Sequence, residues 1–235
     1  MLHVYGIIDG SEIRAAIPSG HHRFHVTAHP VGDLAAAVSA ASQSDIAATM
    51  ENIWCHDRVL DALMKRHAVL PMRFGTIANS DRLTADLERR RVTLCRALRR
   101  VSGKVEIAVR VFSKLPATIP ETHSPCGGDD GRSSGTAYLR SRMAQRRRTA
   151  QLCERGRAAV ASVLARLEAL SADAVWDREG APTLPVEASF LIAREVVPAF
   201  VDRAEALVSC DHDLSVSCTG PWAPYSFVTD VGMGP

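Results

Sequence analysis

His21, His22, His25 and His29 are the first residues whose types could do chemistry, four histidines within a short stretch. On an extended strand His21, His25 and His29 share a face, but successive members stand about 13 Å apart at roughly 3.3 Å per residue. They converge on one ion only with ligands from elsewhere, and solvated strand histidines are the simpler reading. Cys210-Asp211-His212 with Cys218 offers half a metal site, at a spacing that matches no standard zinc pattern. Buried free cysteines acting as small hydrophobes explain it more simply. Cys55 and His56 are sequence neighbours on a helical stretch, so their side chains point about 100° apart and form no nucleophile–base pair. The chain has no Walker-type loop. Gly127-Gly128 stands beside Asp129 and Asp130, which repel phosphate. No residue is assigned to catalysis, to a cofactor or to a metal.

Charge and aromatic residues offer other uses. Arg140, Arg142, Arg146, Arg147, Arg148, Arg155 and Arg157 make the strongest local charge. That face can meet an acidic protein surface or nucleic acid, although a solvated helix face is the favoured reading. Arg73 lies in an otherwise apolar strand, and Glu106 in the most apolar strand of the same half. A buried unpaired charge costs several kcal/mol. Arg73 is therefore expected to meet Glu106, or His56 from a covering helix, as architecture. In Gly220–Phe227 two prolines flank Trp222-Ala223. Proline pre-sets φ and lowers the entropy lost on ordering. The segment either presents Trp222 and Tyr225 rigidly or seals its own domain.

The elements that must position these residues follow from periodicity. Leu2 to Ile8 and Phe24 to His29 read as strands. Asp33 to Ala41 is ambiguous between helix and strand. From Asp45, a possible cap, apolar residues recur at helical spacing to Met64. Ala68 to Ile77 reads as a strand interrupted by Pro71, which belongs on an edge, at a strand start or at a bulge. A second helix runs from Ser80 to Val101 with Leu83, Leu87, Leu94 and Leu98 on one side. Lys104 to Phe112 alternates cleanly as a strand. Two helices on one face of an antiparallel sheet give a ferredoxin-like domain over residues 1–112. Residues 113–135, rich in Pro, Gly and Ser, form a flexible linker or loop. An α+β domain at 136–235 carries a long helix from about Ala137 to Ala172. A seven-residue seam fits that helix through Leu139, Met143, Arg146, Ala150, Cys153, Arg157, Val160, Leu164 and Leu167. Its two arginines argue against a free-standing coiled coil. Val186 to Val197 reads as a strand, Pro198 starts a short helix, and Leu214 to Thr219 is a last strand. The fold class is α+β.

Composition bounds the partners. The 235 residues are 46% hydrophobic and 23% charged, with a formal net charge of only +2. This is the balance of a globular chain, with no global positive field for nucleic acid. Six cysteines are too few for a disulfide scaffold. No apolar run approaches the roughly 20 residues that span a bilayer, and the N-terminus lacks the features of a signal peptide. A reduced, cytoplasmic protein is expected.

Several stretches together resemble the gas vesicle protein GvpF/GvpL family. They are Val4-Tyr5-Gly6-Ile7, His56 with Val59 and Leu60, Leu70-Pro71-Met72-Arg73-Phe74-Gly75-Thr76, Gly103-Lys104-Val105-Glu106-Ile107 and Thr219-Gly220-Pro221-Trp222-Ala223-Pro224-Tyr225-Ser226-Phe227. The match spans about Leu2 to Val228 and is weakest over 113–135. Ala223 stands where a second proline is common, and the arginine-rich helix maps to no family motif. The resemblance implies a non-enzymatic, cytoplasmic, vesicle-associated assembly factor with no cofactor. Its partners would be the hydrophobic shell protein and other gas vesicle assembly proteins. His56, Pro71, Arg73, Phe74, Glu106, Pro221, Trp222 and Tyr225 are its candidate structural or partner-binding residues, and the sheet of the N-terminal domain is the expected docking surface. The alternative is an RNA-binding module that uses a ferredoxin-like sheet and the arginine helix. That use needs exposed aromatic residues on the central strands.

Overall fold

A computed structural model describes residues 1–14, 16–18, 25–41, 47–113, 134–176, 186–209 and 213–228. The chain divides into two compact units. One comprises Met1–Ile107, Ser189–Val197 and Thr219–Pro235; the other comprises Ala108–Ala188 and Pro198–Cys218. The class is α+β. His21, His22, Cys210 to His212 and most of the linker lie outside the described residues.

The first unit is built on β1 (Leu2–Asp9), β2 (Thr27–Val31), β3 (Leu34–Ala40), β4 (Val69–Pro71) and β5 (Ile77–Ala78). The sheet order is β2-β3-β1-β4, with β5 also on β1, and the registered pairs are antiparallel. Leu34-Ala-Ala-Ala-Val resolves as a strand because all of it is buried. β1 is likewise buried from His3 to Ile8. Strands apolar on both faces need cover on both. Val4, Ile7, Leu34, Ala36 and Val38 pack on Leu83, Leu87, Leu94 and Leu98 of α2 (Ser80–Val101). Tyr5, Ile8, Ala35 and Ala37 pack on Val59, Leu60 and Leu63 of α1 (Met50–Met64). The two helices therefore lie on opposite faces, not on one. The strand at 104–113 (β6) pairs in a different sheet. These two features correct the ferredoxin-like arrangement. They also remove the sheet face expected to dock a partner or stack RNA bases.

Local chemistry sets the boundaries. Thr49, not Asp45, caps α1, its side chain accepting from Asn52 N at 3.2 Å. Asn79 caps α2 in the same way, accepting from Arg82 N at 2.7 Å. Pro71 pairs with Gly6 at the edge of the sheet, where a missing donor is tolerated. A Cβ on Gly6 would stand 2.9 Å from the Leu70 carbonyl oxygen, so only glycine lets β1 and β4 approach. The interruption of the 68–77 strand is a turn rather than the proline itself. Thr76 donates to the Arg73 carbonyl from both N (3.1 Å) and Oγ1 (2.7 Å).

The second unit contains α3 (Ser134–Glu168), β7 (Asp173–Trp176) and most of α4 (Val197–Ser209). α3 buries Cys153, Val160, Leu164 and Leu167, the C-terminal part of the expected seam, and Val163 as well. Pro198 falls in the first turn of α4, where its missing N–H costs nothing. β8 (Val186–Ala193) and β9 (Leu214–Trp222) complete a four-stranded sheet of order β7-β8-β6-β9. No helix among the described residues is long and apolar enough to cross a membrane.

Candidate functional site

Two buried polar clusters and the segment after Gly220 account for most candidate residues of the first unit. The first cluster lies under the Leu70–Phe74 stretch. β1 supplies His3 and Tyr5, β3 supplies Ser39 and α1 supplies His56, all at most 1% exposed. His56 Nε2 lies 3.0 Å from the Met72 carbonyl oxygen, and His56 Nδ1 lies 3.0 Å from His3 Nε2. A carbonyl only accepts, so Nε2 of His56 carries the proton and donates. His56 Nδ1 and His3 Nε2 share the second hydrogen bond. Tyr5 Oη lies 3.1 Å from Ser39 Oγ. The Tyr5 ring stacks on His56 at 5.2 Å, and Phe74 meets His56 edge-on at 5.9 Å. This chain of bonds ties α1 to the backbone beyond β4.

Glu106 anchors the second cluster. It is 6% exposed, and its carboxylate accepts from Ser226 N at 2.9 Å and Ser226 Oγ at 2.7 Å. Ser189 Oγ lies 3.1 Å from Ser226 Oγ. A carboxylate bonded to a backbone N–H and a hydroxyl meets much of its desolvation cost without a cation. The expected pairing of Arg73 with Glu106 or His56 is not formed. Arg73 is exposed in the turn before β5, and both expected partners have found neutral donors and acceptors instead.

Glu106 thereby holds the C-terminal segment. Gly220 adopts φ +125, and a Cβ there would stand 2.8 Å from the Glu106 carbonyl oxygen. The Gly220–Pro221 peptide is cis. Beyond it, Ala223 packs on Val59, Leu60 and Leu63, and Phe227 is buried. Tyr225 is half-buried. Burial, then the negative charges of Asp57, Asp61 and Glu106, push its phenol well above the usual range. Burial also raises the carboxyls of Asp57 and Asp61. Pro221 and Trp222 stay outside, Trp222 at 47% exposure with its indole N–H directed at Thr219 Oγ1. On α1, Met50 and Trp54 are 65% and 64% exposed. The segment thus both seals the unit and presents one tryptophan.

Other polar groups bond internally. Asp9 accepts from Ala68 N at 2.9 Å, and Arg14 N donates to His67 Nε2 at 2.9 Å. Arg91 binds Asp33 at 2.7 Å and holds its carboxyl below the usual carboxylate range. His29 lies 2.8 Å from Thr84 Oγ1, a helix contact rather than a metal ligand arrangement. No cluster of three or more potential metal ligands occurs among the described residues. Sequence reasoning missed His3, Tyr5, Ser39, Ser189 and Ser226. Ser226 sat in view within the Pro-Tyr-Ser-Phe motif. His3 and Ser39 carry no local signal, because only strand pairing brings them to the site.

Fold and site define a two-sheet α+β protein whose buried polar side chains bond to one another and to its own backbone. Residues 1–229 match the model of the family described as "Gas vesicle synthesis protein GvpL/GvpF". Gas vesicle protein F of a Streptomyces species is 31% identical, over 84% of this chain and 85% of that protein. Gas vesicle protein L of the same strain is 32% identical, over 84% and 76%. The crystal structure of GvpF from Microcystis aeruginosa superposes with a TM-score of 0.71 at 19% identity, covering 96% of this chain and 98% of that one. GvpF from Anabaena gives 0.69 at 21%, covering 96% and 94%. The chain belongs to the GvpL/GvpF family of gas vesicle synthesis proteins, and its function is gas vesicle-related. Its likeness to the F and L proteins of one strain is nearly equal.

Proposed function

We propose that the chain is a non-enzymatic assembly factor that binds the small apolar shell polypeptide, and other assembly proteins, in the cytoplasm and at the growing vesicle. An apolar wall subunit aggregates unless a partner covers its exposed face or strand edge. The observation that carries this reading is the mounting of Trp222. It is half exposed, while Ala223 and Phe227 after it are buried and Glu106 clamps Ser226. A rigidly held aromatic side chain loses little entropy on binding and is a typical hot-spot anchor. Trp54 and Met50 on α1 extend the apolar surface of the same unit. In this reading Trp222, Pro221 and Trp54 contact the partner. Glu106 holds the mount through Ser226.

The test is direct association of the purified chain with the purified shell subunit. Trp222→Ala and Trp54→Ala are each expected to weaken association by about tenfold or more, the scale of a hot-spot truncation. Both are exposed, so thermal stability should hardly change. A parent chain that binds no shell subunit sinks the proposal.

A further inference from the structure

The arginine-rich half of α3 has no role in the assembly just described. None of its described residues from Leu139 to Leu152 is buried; the buried stripe begins only at Cys153. Leu139 and Met143 stand 58% and 59% exposed. Between Leu139 and Cys153 the sequence has five arginines and no acidic residue. Arg140, Arg146, Arg147 and Arg148 are exposed, and Arg142 is half-buried. Two physical costs meet here. A helix of this length without packing is marginal by itself. Arg142 and Arg146, four residues apart, repel.

The pattern around the helix says what would relieve them. At about 100° per residue, Leu139, Met143 and Ala150 fall within about 40° of one another. Arg146 flanks this stripe on one side, Arg140 and Arg147 on the other. We propose that the Leu139–Leu152 half of α3 docks an acidic amphipathic helix of a partner protein. The partner's apolar seam would lie on Leu139, Met143 and Ala150, and its flanking carboxylates would meet the arginines. A second copy of this chain would set arginine against arginine. Nucleic acid would satisfy the arginines and leave Leu139 and Met143 in water. The proposal is independent of the shell-binding reading, since α3 and Trp222 belong to different units.

The experiment uses the full chain and a synthetic amphipathic helix of several heptads, with leucine on its seam and glutamate flanking it. Three comparison probes are the same peptide with lysine for glutamate, a single-stranded oligonucleotide, and phosphatidylglycerol vesicles. The acidic peptide should bind and the lysine peptide should not. The R140E/R146E/R147E variant should weaken binding about tenfold or more, and more so at low salt. L139S/M143S should also weaken it about tenfold. Circular dichroism should show that both variants keep their helix content, and Trp222→Ala should leave peptide binding unchanged. Absence of peptide binding overturns the proposal. So does tighter binding of the oligonucleotide or vesicle, or indifference to L139S/M143S, either of which marks a generic polyanion surface.

Discussion

His56 shows how much one side chain can organise. It bridges β1 and the backbone after β4 through two buried hydrogen bonds. His56→Ala takes one hydrogen-bond partner from the Met72 carbonyl and one from His3 Nε2 and opens a cavity. A loss of about 2–4 kcal/mol is expected, read as a lower urea midpoint at unchanged slope. Glu106→Ala strands the Ser226 N–H and hydroxyl and should cost about 1–3 kcal/mol. It should also loosen the mount of Trp222, so shell-subunit binding should weaken although Glu106 is buried. Tyr225 gives a pH signature. Its phenol is raised above the ordinary value of 10.0, so above that pH the unfolded chain loses a proton that the folded chain keeps. Stability therefore falls as pH rises through the ordinary tyrosine range. Tyr225→Phe should flatten that fall, measured as urea midpoints across alkaline pH.

Elements were legible wherever local pattern sufficed. Both long helices of the first unit follow from the helical spacing of apolar residues, and β6 from clean alternation. Leu34–Ala40 was ambiguous because a strand buried on both faces has no alternation to read. The same property explains the misplaced helix layer: strands apolar on both sides need a helix on each. Gly6→Ala tests the closeness of β1 and β4. Its Cβ would meet the Leu70 carbonyl oxygen, a backbone atom that cannot swing aside, so a loss of about 1–3 kcal/mol is expected. Thermal or urea denaturation reads it, and the effect should exceed that of Asn79→Ala, which removes only a cap worth about 1 kcal/mol.

At the scale of the whole molecule, cohesion is uneven. Val4 to Ile8 is buried between two helices, whereas Leu139 to Leu152 is buried nowhere along its described residues. Amides of the second stretch should exchange with solvent at least about a hundredfold faster than those of the first. Hydrogen-exchange mass spectrometry reads the difference, and equal protection would contradict it.

By itself the sequence determined the α+β class, the positions of most helices and strands, and the family. Each depends on residues near one another in the chain or on motifs that can be read in a row. Only the tertiary structure decided that Glu106 answers to Ser226 rather than Arg73, that His56 answers to His3, and that Trp222 points outward while Ala223 and Phe227 point in. Those outcomes depend on which strands pair and which faces are covered. Such contacts join residues as many as 120 positions apart, beyond the reach of any local periodicity.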